Sequence, residues 1–369
     1  MTTDEPDATP MDRDAPTQGE LPQTPLMKRR IVRVVGLLII LGIIYYSLFV
    51  VLPSQIDTAE VRAALQALSV GDVLALLGAG LLVMIALGWG SKASLPGLSL
   101  YRGTESSATS QVTAFVVPPP GDMVVRFAMY RTYNFTDEQS AVAVLIAMIA
   151  RYAAVFFMPI VGLGVVLLSP QRSWTYFAWF VGLGALFAAA MVLLLKVIRS
   201  DVVAHRVGRW LQKVAGAVIR FFRRTPPTDL EDSVVEFGAR MRGTLETNMR
   251  QIVAANLGWG FANVLVMFLA LRFSGLTSGT LSASEIVLVT GSAMALNSIP
   301  VPGGFAITES VLLAIVALPT SEETAAFTAG LFLYRIFTWL LPMPVGGLFF
   351  LAWRWRIRRE SADAEPATA

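Results

Sequence analysis

Apolar residues run along this chain in long blocks separated by short polar breaks, and the length of each block limits what it can become. A helix that crosses a bilayer needs about 20 apolar residues. Blocks of that size occur at 31–51, 70–89, 140–168, 174–197, 251–273 and 325–353, and these six are predicted to span a membrane. Two further blocks are broken in the middle: "SSATSQVTAFVVPPPGDMVVRFAMYR" at 106–131, and the stretch 284–318 around "PVPGG". Each of their halves reaches about 18–24 Å at 1.5 Å per residue, short of the ~30 Å hydrocarbon core. Proline at the break has no amide proton to donate, and glycine frees the backbone to turn. Both blocks are therefore read as re-entrant broken-helix hairpins, with a cytoplasmic interfacial helix as the alternative for 121–131. Irregular backbone at that depth persists only where protein surrounds it or a wet cavity lies beside it.

Composition agrees. The 369 residues are 55% hydrophobic and 15% charged, with a mean hydropathy of +0.62, more apolar surface than a soluble domain can bury. The predicted fold class is an all-α polytopic membrane protein. With no cysteine, the chain forms no disulfide and no Cys-ligated zinc site. Charge is unevenly spread. Residues 1–27 hold six acids against Arg13 alone and are expected to form a disordered cytoplasmic tail. "MKRRIVR" then precedes a first block too long for a removed signal, so that block is expected to be an anchor. Segment 196–250 carries eleven bases against six acids, "WRWRIRRE" near the end is basic, and "PTSEET" at 319–324 is acidic. The positive-inside rule then puts both termini in the cytoplasm of a plasma-membrane protein. Within that basic insertion (199–250), two amphipathic helices are expected at about 201–223 and 229–249, either lying on an anionic leaflet or serving as a solvated connector. Residues 356–369 are expected to be a basic, disordered tail.

The transmembrane domain, 28–355, divides into halves of similar pattern, about 31–168 and 174–353. Each reads span, span, hairpin, span, in opposite orientation. "PPPGD" (118–122) aligns with "PVPGG" (300–304), Arg151 with Arg335, and Gly162 with Gly346, each glycine eleven residues beyond its arginine. Inverted repeats built on broken helices carry substrate sites near the midplane in transporters. "LGWG" also occurs twice, at 87–90 and 257–260, but at positions the repeat does not match, and is read as coincidence.

Arg151 and Arg335 sit about 15–18 Å into their spans, approaching the middle from opposite faces. A central arginine costs about 2.5–3.5 kcal/mol on insertion scales, so each needs a compensating partner. Two readings stay open: structural ion pairs with Asp122 and Glu309, or an anion site that also includes Arg126. The planar guanidinium fork suits phosphate. The helix starts after Gly121, Gly303 and Gly304 would turn free amides toward the same place. No metal-ligand cluster, nucleophile–base pair or nucleotide loop is present, so neither enzymatic activity nor a cofactor is expected.

"SIPVPGGFAITE" resembles the Pro-x-x-Pro-Gly-Gly-x-Gly-x-x-Glu signature of the lysylphosphatidylglycerol synthase transmembrane-region family. "PPPGDMVVRFAMYR", "IARYAAVF" and "LYRIFTWLLPMPVGG" are similar to its other elements, and the resemblance covers about residues 30–355. It implies binding and flipping of an anionic lipid or lipid-linked carrier, with Asp122, Arg126, Arg151, Glu309 and Arg335 carried over as site residues. Pro120, Ala150, Ala154 and Ala306 depart from the family pattern, thinning the polar cluster of the first half. Only ten residues follow Arg359, so the aminoacyl-transferring domain of the full-length enzymes is not expected. The expected partners are anionic membrane lipids and an envelope-biosynthesis enzyme, not nucleic acid. The alternative function is a non-transporting scaffold of such an enzyme.

Overall fold

The computed structural model describes residues 66, 68–116, 121–170, 172–209, 230–298 and 304–364. Its elements are α1 (Val70–Ser94), α2 (Leu100–Val116), α3 (Gly121–Thr132), α4 (Asp137–Leu167), α5 (Trp174–Arg199), α6 (Leu230–Phe273), α7 (Ala283–Asn297), α8 (Gly304–Val316), α9 (Ser321–Arg335), a π-helical turn (Ile336–Leu340) and α10 (Pro342–Ala364). All are helical, and five stretches are long and apolar enough to cross a membrane: α1, α4, α5, Met241–Phe273 within α6, and the run Ser321–Arg359. These match five of the six predicted spans. The sixth, 31–51, lies outside the described residues, as do the tail 1–27 and the center of the basic insertion.

Local chemistry fixes where the helices begin. Ser69, Thr136 and Ser282 each close a reciprocal capping box with Asp72, Gln139 and Glu285, three residues on. Thr320 accepts from the Glu323 amide and donates to its carboxylate. Each such cap satisfies amide donors that a helix start leaves open.

The two broken blocks form two pairs of short helices. α2 packs on α3, and α7 packs on α8. Their breaks fall at 117–120 and 299–303, which carry the predicted Pro/Gly tips and are not described. α2 is sheathed by α1 and α10. Its polar residues Glu105, Ser106, Ser107, Thr109 and Ser110 are at most 1% exposed, so this hydrophilic helix lies inside the protein rather than against lipid. Glycine permits the close approach: a Cβ on Gly88 would strike the Thr104 backbone, and one on Gly346 the Ala108 carbonyl. α7 runs along α4 in the same manner, where a Cβ on Gly162 would strike the Leu288 backbone. Small residues that let helix backbones meet are a main source of helix association in lipid. α5, by contrast, has only Ile198 buried, and its other surfaces remain accessible.

Two expectations change. The amphipathic helix at 229–249 and the span at 251–273 are a single 44-residue helix, α6. No proline interrupts residues 230–273, so the helix continues unbroken from the polar stretch into the apolar one. Arg242 ties α6 to the end of α5, donating to the Ile198 carbonyl at 3.1 Å and to Asp201 at 3.0 Å. At the other end of the chain α10 stays helical to Ala364, through the first part of the expected tail. The "LGWG" echo also has a physical meaning, because the two copies touch where α1 crosses α6. A Cβ on Gly258 would meet the Trp89 ring at 3.4 Å.

Candidate functional site

The end of α2, the start of α3 and the end of α7 line one cavity of about 400 Å³. The end of α2 supplies Ser110 and Gln111, and the first turns of α3 supply Asp122 and Arg126. The middle of α4 supplies Arg151 and Tyr152, and α6 supplies Trp259 and Asn263. Asn297 and Ser298 come from the end of α7, and Tyr334, Thr338 and Trp339 from α9 and the π turn. Arg151 is the fifteenth residue of α4 (151 − 137 = 14 steps), about 21 Å along it. The start of α3 therefore reaches the middle of a span, not its end.

Among the described residues, the charged groups of the cavity lie on the first half's side. Arg126 donates to Ser110 Oγ at 2.7 Å and so links the two arms of the first hairpin. Arg151 stacks over the Trp259 ring, 5.2 Å from its center, and has no hydrogen bond or ion pair to any described residue. Asp122 shares the cavity but closes no ion pair with either arginine. Two guanidiniums and one carboxylate leave this wall with an excess of one positive charge. Two polar atoms are also buried without partners: Trp259 Nε1, on a side chain only 7% exposed, and Gln111 Oε1. Buried polar groups are nearly always satisfied. Two guanidiniums on the wall of one cavity, one of them stacked on Trp259 without an acceptor, fit an anionic group.

The second half contributes neutral polar groups among the described residues. Tyr334 OH donates to Asn263 Oδ1 at 3.0 Å, Asn263 Nδ2 donates to the Trp259 carbonyl at 2.9 Å, and Thr308 Oγ1 donates to Asn297 Oδ1 at 3.3 Å. The π turn brings Thr338 and Trp339 to the wall; its register ends with the Leu341 amide donating to the Ile336 carbonyl. Insertions of this kind widen a helix by one residue per turn and occur often at functional sites.

The structure thus brings together Arg126, Arg151 and Asp122, with Gly121 buried at the start of α3. Arg335 is also buried, at 7% exposure, but does not line the cavity; its neighbor Tyr334 does. The expected meeting of Arg151 and Arg335 across one cavity is replaced by a meeting of Arg151 and Arg126. Tyr334 and Arg335 are adjacent and point about 100° apart on their helix, and here the cavity takes Tyr334. Gly304 begins α8, while Gly303 and the Glu309 side chain lie outside the described residues.

Sequence reasoning missed Trp259, Asn263, Gln111 and Tyr334. It also missed a second buried cluster. Glu105 is wholly buried and accepts from Arg356 Nη2 on both oxygens at 2.6 Å, and from Tyr133 OH at 2.7 Å. Trp353 Nε1 donates to Thr132 Oγ1 at 2.9 Å beside it. Together these contacts clamp α10 onto both arms of the first hairpin.

No curated protein matches the chain. The family model described as the lysylphosphatidylglycerol synthase TM region matches residues 33–346, which takes in every residue that lines the cavity. A multi-pass helical membrane protein whose function concerns membrane lipids is what that match and these helices support together, and the chain belongs to the lysylphosphatidylglycerol synthase transmembrane-region family.

Proposed function

We propose that this protein binds the headgroup of an anionic lipid, or of a lipid-linked carrier, in the cavity between the hairpin tips and moves it across the plasma membrane. The observation that carries this reading is Arg151. It is a cation in mid-span, stacked on Trp259, closing no ion pair among the described residues and sharing its cavity with Arg126 and one carboxylate, Asp122. Phosphate would take the forked donors of both arginines and the open amides at the start of α3. Asp122 offsets one of the two positive charges of the empty wall. The role is binding and translocation, not catalysis, with both termini on the cytoplasmic side.

Movement in this proposal is a rocking of two inverted halves, and several paired features support it. Thr136 and Thr320 cap equivalent spans, each 15 residues before its arginine (151 − 136 and 335 − 320). A residue of positive φ, Asn134 or Ala317, stands just ahead of each threonine. The first arm of each hairpin packs on the last span of the other half, through Gly162 in one case and Gly346 in the other. Exchanged contacts of this kind are what an axis in the membrane plane would generate.

The test uses the full chain in liposomes, with a fluorescent phosphatidylglycerol whose exposure is read by chemical quenching from outside. Charge-assisted hydrogen bonds contribute about 1.5–3 kcal/mol each, so the R126Q/R151Q double variant is expected to slow scrambling at least tenfold while remaining monodisperse. Undiminished scrambling would overturn the reading and leave the scaffold role standing.

A further inference from the structure

A second depression, about 390 Å³, runs between α4 and α5. Its lining is apolar except for one hydroxyl, that of Tyr152. It begins at Met148 and Tyr152, passes Phe156, Leu186 and Ala190, and ends near Ile160. Met148 and Tyr152 also line the polar cavity, so the two spaces share a wall one residue from Arg151. From Met148 to Ile160 is 12 residues, about 18 Å of helix. One leaflet's share of the hydrocarbon core is about 15 Å. The groove therefore has the length of a single lipid chain and starts where a charged headgroup would sit.

We infer that the α4–α5 groove is the hydrocarbon-chain subsite of the same site, so that the ligand is an amphiphile held at both ends and not a water-soluble anion. This rests on the headgroup reading above and extends it. A phosphate on Arg151 and Arg126 delivers the bonds beyond it to Tyr152, which is 48% exposed and offers a ring to the chain and a hydroxyl to the polar side. The chain then lies against Phe156 and Leu186, with its end toward the connection 168–173. A lipid in that attitude has its head on the Thr136 side of α4, the orientation of a molecule drawn from the leaflet on that side. An annular lipid needs no cation; a lipid in this groove is anchored by two.

The experiment places the full chain in phosphatidylcholine nanodiscs doped with phosphatidylglycerol that carries a mid-chain diazirine. After illumination, labeled peptides are mapped by mass spectrometry. Label is expected within 148–160 or 183–194. It should fall at least tenfold in A190W, which fills the groove, and equally in R126Q/R151Q, which removes the anchor. Ala190 is exposed, so the tryptophan has room without disturbing the packing; L186W, at a position 68% exposed, provides a second blocking variant. Glycerol phosphate at equal concentration should not compete. If the arginine variant loses label while both tryptophan variants keep it, the chain subsite is wrong and the anion site stands. If the tryptophan variants lose label and the arginine variant keeps it, the groove holds a chain without regard to its head, which also overturns the inference. Label unchanged in all variants means annular lipid only. Full competition by glycerol phosphate would make the ligand a soluble anion.

Discussion

The two hairpins are built alike and held differently. The first is secured by charge: Glu105 in α2 is sealed in the interior against Arg356 and Tyr133, and its tip carries Asp122 and Arg126 into the cavity. In the second, the first arm presents Ile286, Leu288, Val289, Ala293 and Met294 to its neighbors, an apolar face, and its described contributions to the cavity are neutral. A similar contrast separates the two matched arginines. Arg151 faces the cavity, whereas Arg335 is buried away from it. Matched positions in the two halves differ, and among the described residues the cavity wall is electrostatically one-sided: the first half supplies its charged groups and the second supplies neutral hydrogen-bonding groups.

The largest expected effect comes from breaking the clamp on the first hairpin. Arg356→Ala leaves the wholly buried Glu105 carboxylate with only a phenol, and removal of one partner of a buried pair costs about 3–5 kcal/mol. Glu105→Gln strands only Arg356, whose side chain is 38% exposed and can turn to water, so it should cost clearly less. Thermal unfolding of both variants in detergent measures the asymmetry. Equal losses would mean that the clamp is not a buried-charge contact.

A smaller effect tests whether the halves still share a packing scheme. Gly162→Leu and Gly346→Leu each push a side chain into the backbone of the other half's hairpin arm. Overpacking of this kind typically costs about 1–3 kcal/mol. Losses of similar size at the two sites would show the contacts to be equivalent; a loss at one alone would confine the resemblance to sequence. The smallest effect is at the caps. Thr136→Ala and Thr320→Ala should each cost about 1 kcal/mol, read as matched drops in unfolding temperature.

Much of this architecture was legible because span prediction depends on block length, which the chain displays openly at α1, α4 and α5. The broken hairpins were legible because proline and glycine act locally on the backbone. The cluster of Arg126, Asp122 and Arg151 could be proposed because a cation inside an apolar block is conspicuous. Trp259 was not, since a tryptophan in a span reads as packing until its ring is seen beneath a guanidinium. Arg335 was placed in the cavity on the strength of a proposed repeat, and a repeat pattern suggests a residue's depth but not the direction it faces. The Glu105–Arg356 pair joins residues 251 positions apart, and nothing local to either announces the other. The continuity of α6 was hidden for a different reason: polarity changes along it at about residue 250, while its backbone meets no breaker.

The central claim, a one-sided anion site at Arg151, is tested most directly by the affinity of phosphatidylglycerol for the full chain in nanodiscs, compared between Arg151→Gln and Arg335→Gln. The account predicts at least tenfold weaker binding for Arg151→Gln. For Arg335→Gln it predicts a change of no more than about threefold, with the cost appearing in thermal stability instead, because that side chain is buried off the cavity wall. Equal weakening by the two substitutions, or none from Arg151→Gln, would contradict it.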